Sequence, residues 1–487
     1  MKEDEEDKSS GLLANEKIPN SSEKIDTKKL EASNDGDDFK GYSNSEKYKL
    51  FGLFFSIGII NHLGTILVMT GGRLLAKELK MDDYVTVYIS ASIIFALITR
   101  IVNSKLFVKL SYKKRINFLC YWMVAGYFLM FLVLLLNDTV LSNSNGLCFA
   151  LSFIPCFLLG SSYAFGESAM LAYLRLFPKT LLGGWSSGTG ISGFFGSLLN
   201  FLSQLNDWFN LKYLYLILVV VGPLYLYLFN LTIKIYQMNA LMSGDENKNP
   251  TMELSPIEGD IIDPEDKNEN MGKVYENQRN EDINKKEENK EFENINEENK
   301  TISIENFLYV MRKSGRIIGN LCAIYFLLFF CFNGLVVRVC SKVNIKFLPK
   351  DSNGEGKGQY EFIALFFQIG MFISKTFIKL IRRISPIEIY TIVIFIINII
   401  FIIEYYTGFL KWGNYIIFCL ILGFFGGGTY AGGFYSILNS DEIQENYKEL
   451  TINIATLFND LGTFLSGIFG LIALKYWFNS TDKFSKS

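Results

Sequence analysis

The chain has 487 residues, of which 49% are hydrophobic and 15% aromatic, with a net charge of −2. A near-neutral balance of this kind gives no electrostatic footprint for nucleic acid, and no soluble domain is visible in a length that would ordinarily divide into about three of ~150 residues. Seven cysteines are scattered, mostly in apolar stretches and without a CxxC pair, which excludes a disulfide framework or zinc site on sequence grounds.

The acidic residues concentrate in two segments. Residues 1–48 are polar, charged and poor in aromatics, the composition of a tail that cannot bury enough apolar surface to order itself. No signal-peptide pattern precedes the first apolar run. Residues 241–310, rich in Asn, Glu and Lys, read as a second disordered segment, a linker. It divides an N-terminal half, 49–240, from a C-terminal half, 311–478, which is followed by a short tail, 479–487.

A bilayer core of ~30 Å needs about 20 apolar residues per helix. That measure predicts six crossings before the linker, near 49–70, 84–104, 116–137, 147–174, 181–204 and 212–238. Five follow it, near 317–340, 360–381, 386–407, 413–438 and 451–477. The expected fold class is therefore an all-α membrane protein with 11 transmembrane helices, arranged 6+5. Basic residues after the second crossing (Lys105, Lys109), the fourth (Arg175, Lys179) and the eighth (Lys375, Lys379) place these loops, the N-tail and the linker in the cytosol by the positive-inside rule. The loop 338–358 opposes this pattern with basic residues on the other side. An odd number of crossings puts the C-terminus across the membrane, where the sequons at Asn137 and Asn479 are candidate glycosylation sites.

The halves repeat one another. Ser104-Lys-Leu-Phe-Val-Lys-Leu110 matches Ser374-Lys-Thr-Phe-Ile-Lys-Leu380, Asn61-His-Leu matches Asn333-Gly-Leu, and Ser192-Gly-Phe-Phe-Gly196 matches Ser466-Gly-Ile-Phe-Gly470. Parallel halves related by an axis along the membrane normal are the plan of major facilitator transporters.

Residues 160–196 carry the main chemical signal. A charge at helix centre costs on the order of 3 kcal/mol even on lenient insertion scales, so Glu167 is expected to face a cavity or a partner. Ser186, Ser187 and Thr189 are candidates to line a polar path, while Gly190, Gly193 and Gly196, with Gly467 and Gly470 in the other half, fit close helix packing. His62, the only histidine, lies beside Asn61 and has a side chain that titrates in the range of an acidic compartment. Asn333, Asn459 and Asp460 complete the cavity groups read from the residues. Lys105, Lys109, Lys375 and Lys379 read as cytosolic gate or lipid-headgroup contacts.

Gly166-Glu167, Phe177-Pro178 and above all Trp185-Ser-Ser-Gly-Thr-Gly190 resemble the signature of the battenin family of endolysosomal membrane proteins and their fungal vacuolar relatives. Gln368-Ile-Gly370, Gly426-Gly427, Tyr430 and Ser440-Asp441-Glu442 extend the resemblance over most of the apolar portion, and through it Gln368 and Tyr430 join the candidate cavity groups. Leu328 and Leu422 stand where the family tends to carry acids, and Asp460 is displaced by one position beside Asn459. The resemblance implies a major facilitator-like transporter of an endolysosomal or vacuolar membrane. Its implied cargo is glycerophosphodiesters, or an influence on basic amino acid transport and organelle pH. A trafficking scaffold docking partners through the N-tail and linker is the alternative, as is a carrier of the equilibrative nucleoside type, against which the Trp185 motif argues. A single histidine and the absence of HExxH argue against the common catalytic constellations, so no enzyme activity, metal or cofactor is expected. The expected partners are membrane lipids and a small-molecule cargo, not nucleic acid.

Overall fold

In the computed structural model the described residues are 42–81, 85–107, 110–139, 145–205, 210–243, 303–340, 345, 348–350, 358–377 and 388–473. The N-tail up to residue 41, most of the linker and Asn479 lie outside them, as do Lys109, Lys379 and the side chain of Lys105.

Local chemistry sets where the helices begin and end. Helix α1, Asn44–Thr70, opens on a capping box: Ser43 Oγ accepts from the Glu46 amide at 3.3 Å while the Glu46 carboxylate accepts from the Ser43 amide at 2.8 Å. A short α2, Gly72–Glu78, leads to α3, Val85–Lys105, α4, Tyr112–Thr139, and α5, Asn145–Leu174. Pro178 follows the end of α5, where its ring disfavours helical backbone in the preceding residue. A single 3₁₀ turn, Lys179–Leu181, then starts α6, Leu182–Leu205.

The sixth predicted crossing is two helices, α7, Leu211–Leu218, and α8, Val221–Ser243. Pro223 explains the break, because it has no N–H to offer the carbonyl of Val219 and is tolerated only in a first turn.

In the second half, α9, Ile304–Phe329, starts 13 residues before the predicted crossing, with Ser303 as N-cap accepting from the Asn306 amide at 3.1 Å. It widens into a π-type stretch at Phe330–Val336 before α10, Val337–Cys340. Helices α11, Gln359–Thr376, α12, Glu388–Thr407, α13, Trp412–Leu438, and α14, Glu445–Ala473, follow.

Eight stretches among the described residues are long and apolar enough to cross a membrane. The other long helices at predicted crossings, α3, α6 and α11, carry the polar residues Arg100, Asn103, Ser186, Ser187, Asn200, Gln368 and Lys375, all of them buried.

Packing repeats between the halves. Helix α1 packs on α6 as α9 packs on α14, and α3 on α5 as α11 on α13. The halves meet along two seams, α3 against α14 and α6 against α11. The α1–α6 contact is close enough to need glycine: a Cβ at Gly188 would strike the Phe55 carbonyl, and one at Gly58 would lie 2.7 Å from the Trp185 carbonyl oxygen.

The packing glycines named from sequence separate accordingly. A Cβ at Gly190, Gly193 or Gly196 would press into Phe372, Gln368 or Ile66, as expected. Gly470 is a correction, since a Cβ there meets nothing within 4 Å, and Gly467 is only half-buried. Asn137 is a second correction. It is buried in α4 and its amide donates to the Glu78 carbonyl at 3.1 Å, which leaves no room for a glycan.

Gly188→Ala is expected to destabilise the protein by about 1–3 kcal/mol through forced separation of α1 and α6. Gly470→Ala should stay within ~0.5 kcal/mol of the parent. Thermal unfolding of the two purified variants in one detergent checks the contrast.

Candidate functional site

Arg100 of α3 is buried, and four of its five guanidinium N–H groups have partners. Nε donates to Asp460 Oδ2 at 2.5 Å, Nη1 to the Ala164 carbonyl at 3.1 Å and Ser168 Oγ at 2.9 Å, and Nη2 to the Glu167 carboxylate. Glu167 belongs to α5 in the first half and Asp460 to α14 in the second, so one guanidinium ties the halves together. Each buried ion gives up several kcal/mol of hydration, and only dense hydrogen bonding of this kind offsets the loss.

Glu167 is held from the other half as well. Tyr430 of α13 donates its hydroxyl to Glu167 Oε1 at 2.5 Å, and His62 Nε2 lies 3.5 Å from the same oxygen. The imidazole is packed edge-on against Tyr163, at 4.8 Å between centroids, and against Trp185 at 5.9 Å.

Beside this network lies a cavity of about 80 Å³. One water needs roughly 10–15 Å³ of such space, so the cavity accommodates several waters or part of a small polar solute. Its polar wall includes His62, Thr65, Thr189, Asn333, Gln368, Lys375, Tyr430, Asp460 and Thr463, and its apolar wall includes Phe329, Phe332 and Phe367. The π-type stretch after α9 brings in Phe332 and Asn333; such widenings recur at functional sites.

Several sequence-predicted residues therefore meet here: His62, Thr189, Asn333, Gln368, Tyr430 and Asp460. Others do not. Glu167 is fully buried behind His62 and Tyr430 and holds wall groups rather than forming the wall. Ser186, Ser187, Asn61 and Asn459 are buried outside the lining; Ser187 Oγ donates to the Gly183 carbonyl at 2.7 Å, and Asn61 Nδ2 to that of Tyr163 at 3.2 Å. Within the Trp185 motif Gly188 serves the close packing of α6 on α1, while Thr189 faces the cavity.

Lys375 is the largest correction. Expected at the cytosolic surface, it is buried in the cavity wall, donating Nζ to Thr189 Oγ1 at 3.2 Å across the seam and lying 4.2 Å from the Tyr430 ring centroid. Among the described residues no carboxylate lies within ion-pair distance of it. The sequence reading also passed over Arg100, although a charge within the apolar run 91–103 is the same signal that picked out Glu167. Leu328 and Leu422, where the battenin resemblance tends to have acids, are fully buried among helices, and the cavity's carboxylate is Asp460.

Two further bonds link the halves away from the cavity. At one end Gln204 Nε2 of α6 donates to Glu361 Oε1 of α11 at 2.7 Å; at the other Arg115 Nη1 of α4 donates to Glu449 Oε1 of α14 at 3.1 Å.

Solved structures share this architecture. The major facilitator superfamily proton:xylose symporter XylE bound to 6-bromo-6-deoxy-D-glucose matches with a TM-score of 0.54 at 11% identity, over 90% of this chain and 90% of that one. A bacterial homologue of the iron transporter ferroportin in an outward-facing state matches at 0.51 and 11% identity, over 87% and 92%. With its apolar helices, the chain is thus a multi-pass membrane protein of the major facilitator fold. Residues 52–479 match the family described as CLN3 protein, and the chain belongs to that family. Battenin of Dictyostelium discoideum is 26% identical over 422 residues, 86% of this chain and 92% of the relative.

Removing Arg100 leaves two buried carboxylates facing each other, so Arg100→Gln is expected to cost about 3–5 kcal/mol. The neutral triple variant Arg100→Gln/Glu167→Gln/Asp460→Asn should recover much of that loss, which thermal unfolding of the single and triple variants reads directly.

Proposed function

We propose that this protein is a secondary transporter of an endolysosomal or vacuolar membrane, carrying small polar anions of the glycerophosphodiester class through the cavity between its halves. The carrying observation is Lys375, an ammonium in a buried wall whose partners are a hydroxyl and an aromatic face. A lysine desolvated in this way favours an anion, and the Tyr430 ring face contributes on the order of 2 kcal/mol to holding the cation without supplying a negative charge. Gln368, Asn333, Thr189 and Thr463 offer hydrogen bonds to hydroxyl and phosphate oxygens, and the phenylalanines exclude bulk water. Cationic cargo such as arginine fits this wall poorly.

Membership of the CLN3 family and the major facilitator fold support transport over catalysis. In our reading eleven helices cross the membrane with the N-terminus in the cytosol, and the 49–240 and 311–478 halves rock about the Arg100 network to expose the cavity alternately.

Lys375→Gln is expected to reduce efflux of a radiolabelled glycerophosphodiester from proteoliposomes by roughly tenfold or more, the loss of one charged hydrogen bond, with Lys375→Arg retaining part of the flux. Glu167→Gln, which removes one of the two carboxylates that hold Arg100, should lower efflux together with thermal stability. Unchanged flux in Lys375→Gln, or competition by arginine but not by a glycerophosphodiester, would contradict the assignment.

A further inference from the structure

Among the described residues, the cavity wall and the network behind it form a balanced set of charges. Arg100 and Lys375 are the cations, Glu167 and Asp460 the anions, and all are buried. With His62 neutral the set sums to zero. A proton on the imidazole leaves it with a single positive charge, in the wall of the same cavity that Lys375 lines.

His62 is placed to take that proton. It is the chain's one histidine, and imidazole is the side chain whose ordinary titration falls between about pH 5 and 8. Its Nε2 lies 3.5 Å from Glu167 Oε1, so an imidazolium formed there faces a carboxylate and is not left as an unpaired buried charge. Glu167 is fully buried behind the lining, so His62 and Tyr430 stand between that carboxylate and whatever enters the cavity. The other charged and titratable neighbours have settled roles. Arg100 of α3 is bonded to Glu167 and to Asp460 of α14, and Tyr163 of α5 meets the imidazole edge-on. Tyr430 of α13 donates to Glu167 and presents its ring to Lys375 of α11, while Tyr325 of α9 lines the cavity.

The cargo class proposed above cannot supply a pH response of its own. A phosphodiester has one acidic proton and loses it far below the pH of any organelle, so it stays monoanionic on both sides of the membrane. Any dependence of its passage on pH has to come from the protein.

We propose that His62 is the proton site that couples this cavity to a pH gradient. Protonated on the acidic side, it gives the wall the single positive charge that a monoanion neutralises. Deprotonated on the neutral side, it returns the wall to zero and the anion leaves. One proton then accompanies each anion, and the loaded and empty cavities carry the same net charge, so neither form adds an unpaired ion to the interior as the halves rock. The coupling rests on the transporter reading for its cargo; the proton site rests on the position of His62 alone.

A single histidine makes the site directly observable. The full chain, purified without a histidine tag and carrying isotope-labelled histidine, should give one imidazole signal by solid-state NMR in proteoliposomes. Its protonation state should change over about pH 5 to 8. Saturating glycerophosphodiester at a fixed pH within that range should raise the protonated fraction, because two ligands that favour each other do so reciprocally. Efflux of radiolabelled glycerophosphodiester into neutral medium should be about tenfold faster from vesicles at about pH 5 inside than at about pH 7.5, following the protonated fraction of an ordinary histidine. In His62→Gln that ratio should fall to about one, whatever the absolute rate. An imidazole that keeps one protonation state across the range, or a pH ratio unchanged in His62→Gln, would overturn the proposal. A titrating imidazole in a parent chain that moves no glycerophosphodiester would leave the proton site standing and refute the transporter reading instead.

Discussion

The structure depends on one guanidinium. Arg100 is shared between a carboxylate of the first half and one of the second, and in a low-dielectric interior neither carboxylate is tolerable without it. Hydrophobic burial cannot hold two bundles together inside lipid, because lipid tails are as apolar as the helix faces. Close packing and polar bonds must do so. In this chain both are present along the same seams.

This arrangement suits a protein that moves. A large apolar interface would be non-specific and slippery, whereas a few buried polar bonds define a closed state and break as discrete units. Tyr430 to Glu167, Lys375 to Thr189 and Asp460 to Arg100 all cross from one half to the other around the cavity. Further bonds, Gln204 to Glu361 and Arg115 to Glu449, link the halves towards either end of the bundle. Separation of the halves at either end therefore has a defined set of interactions to undo, while glycine-mediated contacts such as α1 on α6 keep each half rigid.

Much of the site was legible from sequence, for a physical reason. Polar residues in apolar helices are costly enough that each announces a partner, which is why His62, Thr189 and Asp460 were picked out, whereas Gln368 and Tyr430 came from the family resemblance. The errors came from direction. Ser186 and Ser187 are as polar as Thr189 and lie beside it in α6, yet only Thr189 reaches the cavity, because helix rotation decides which face meets α1 and which meets α11. Lys375 was misread because a lysine near a helix end ordinarily snorkels to the interface. Here Thr189 and the Tyr430 ring receive it inside.

The sequence by itself determined the membrane class, the two repeated halves as an expectation, and the residues able to carry charge into the apolar interior, since composition and period are local properties. Only the tertiary structure decided which charges meet. Arg100 and Asp460 are 360 positions apart in the chain and 2.5 Å apart in the fold. No spacing rule encodes a pairing across two packed bundles; it follows from how α3 lies against α14, and that depends on every small residue that sets the distance between helices.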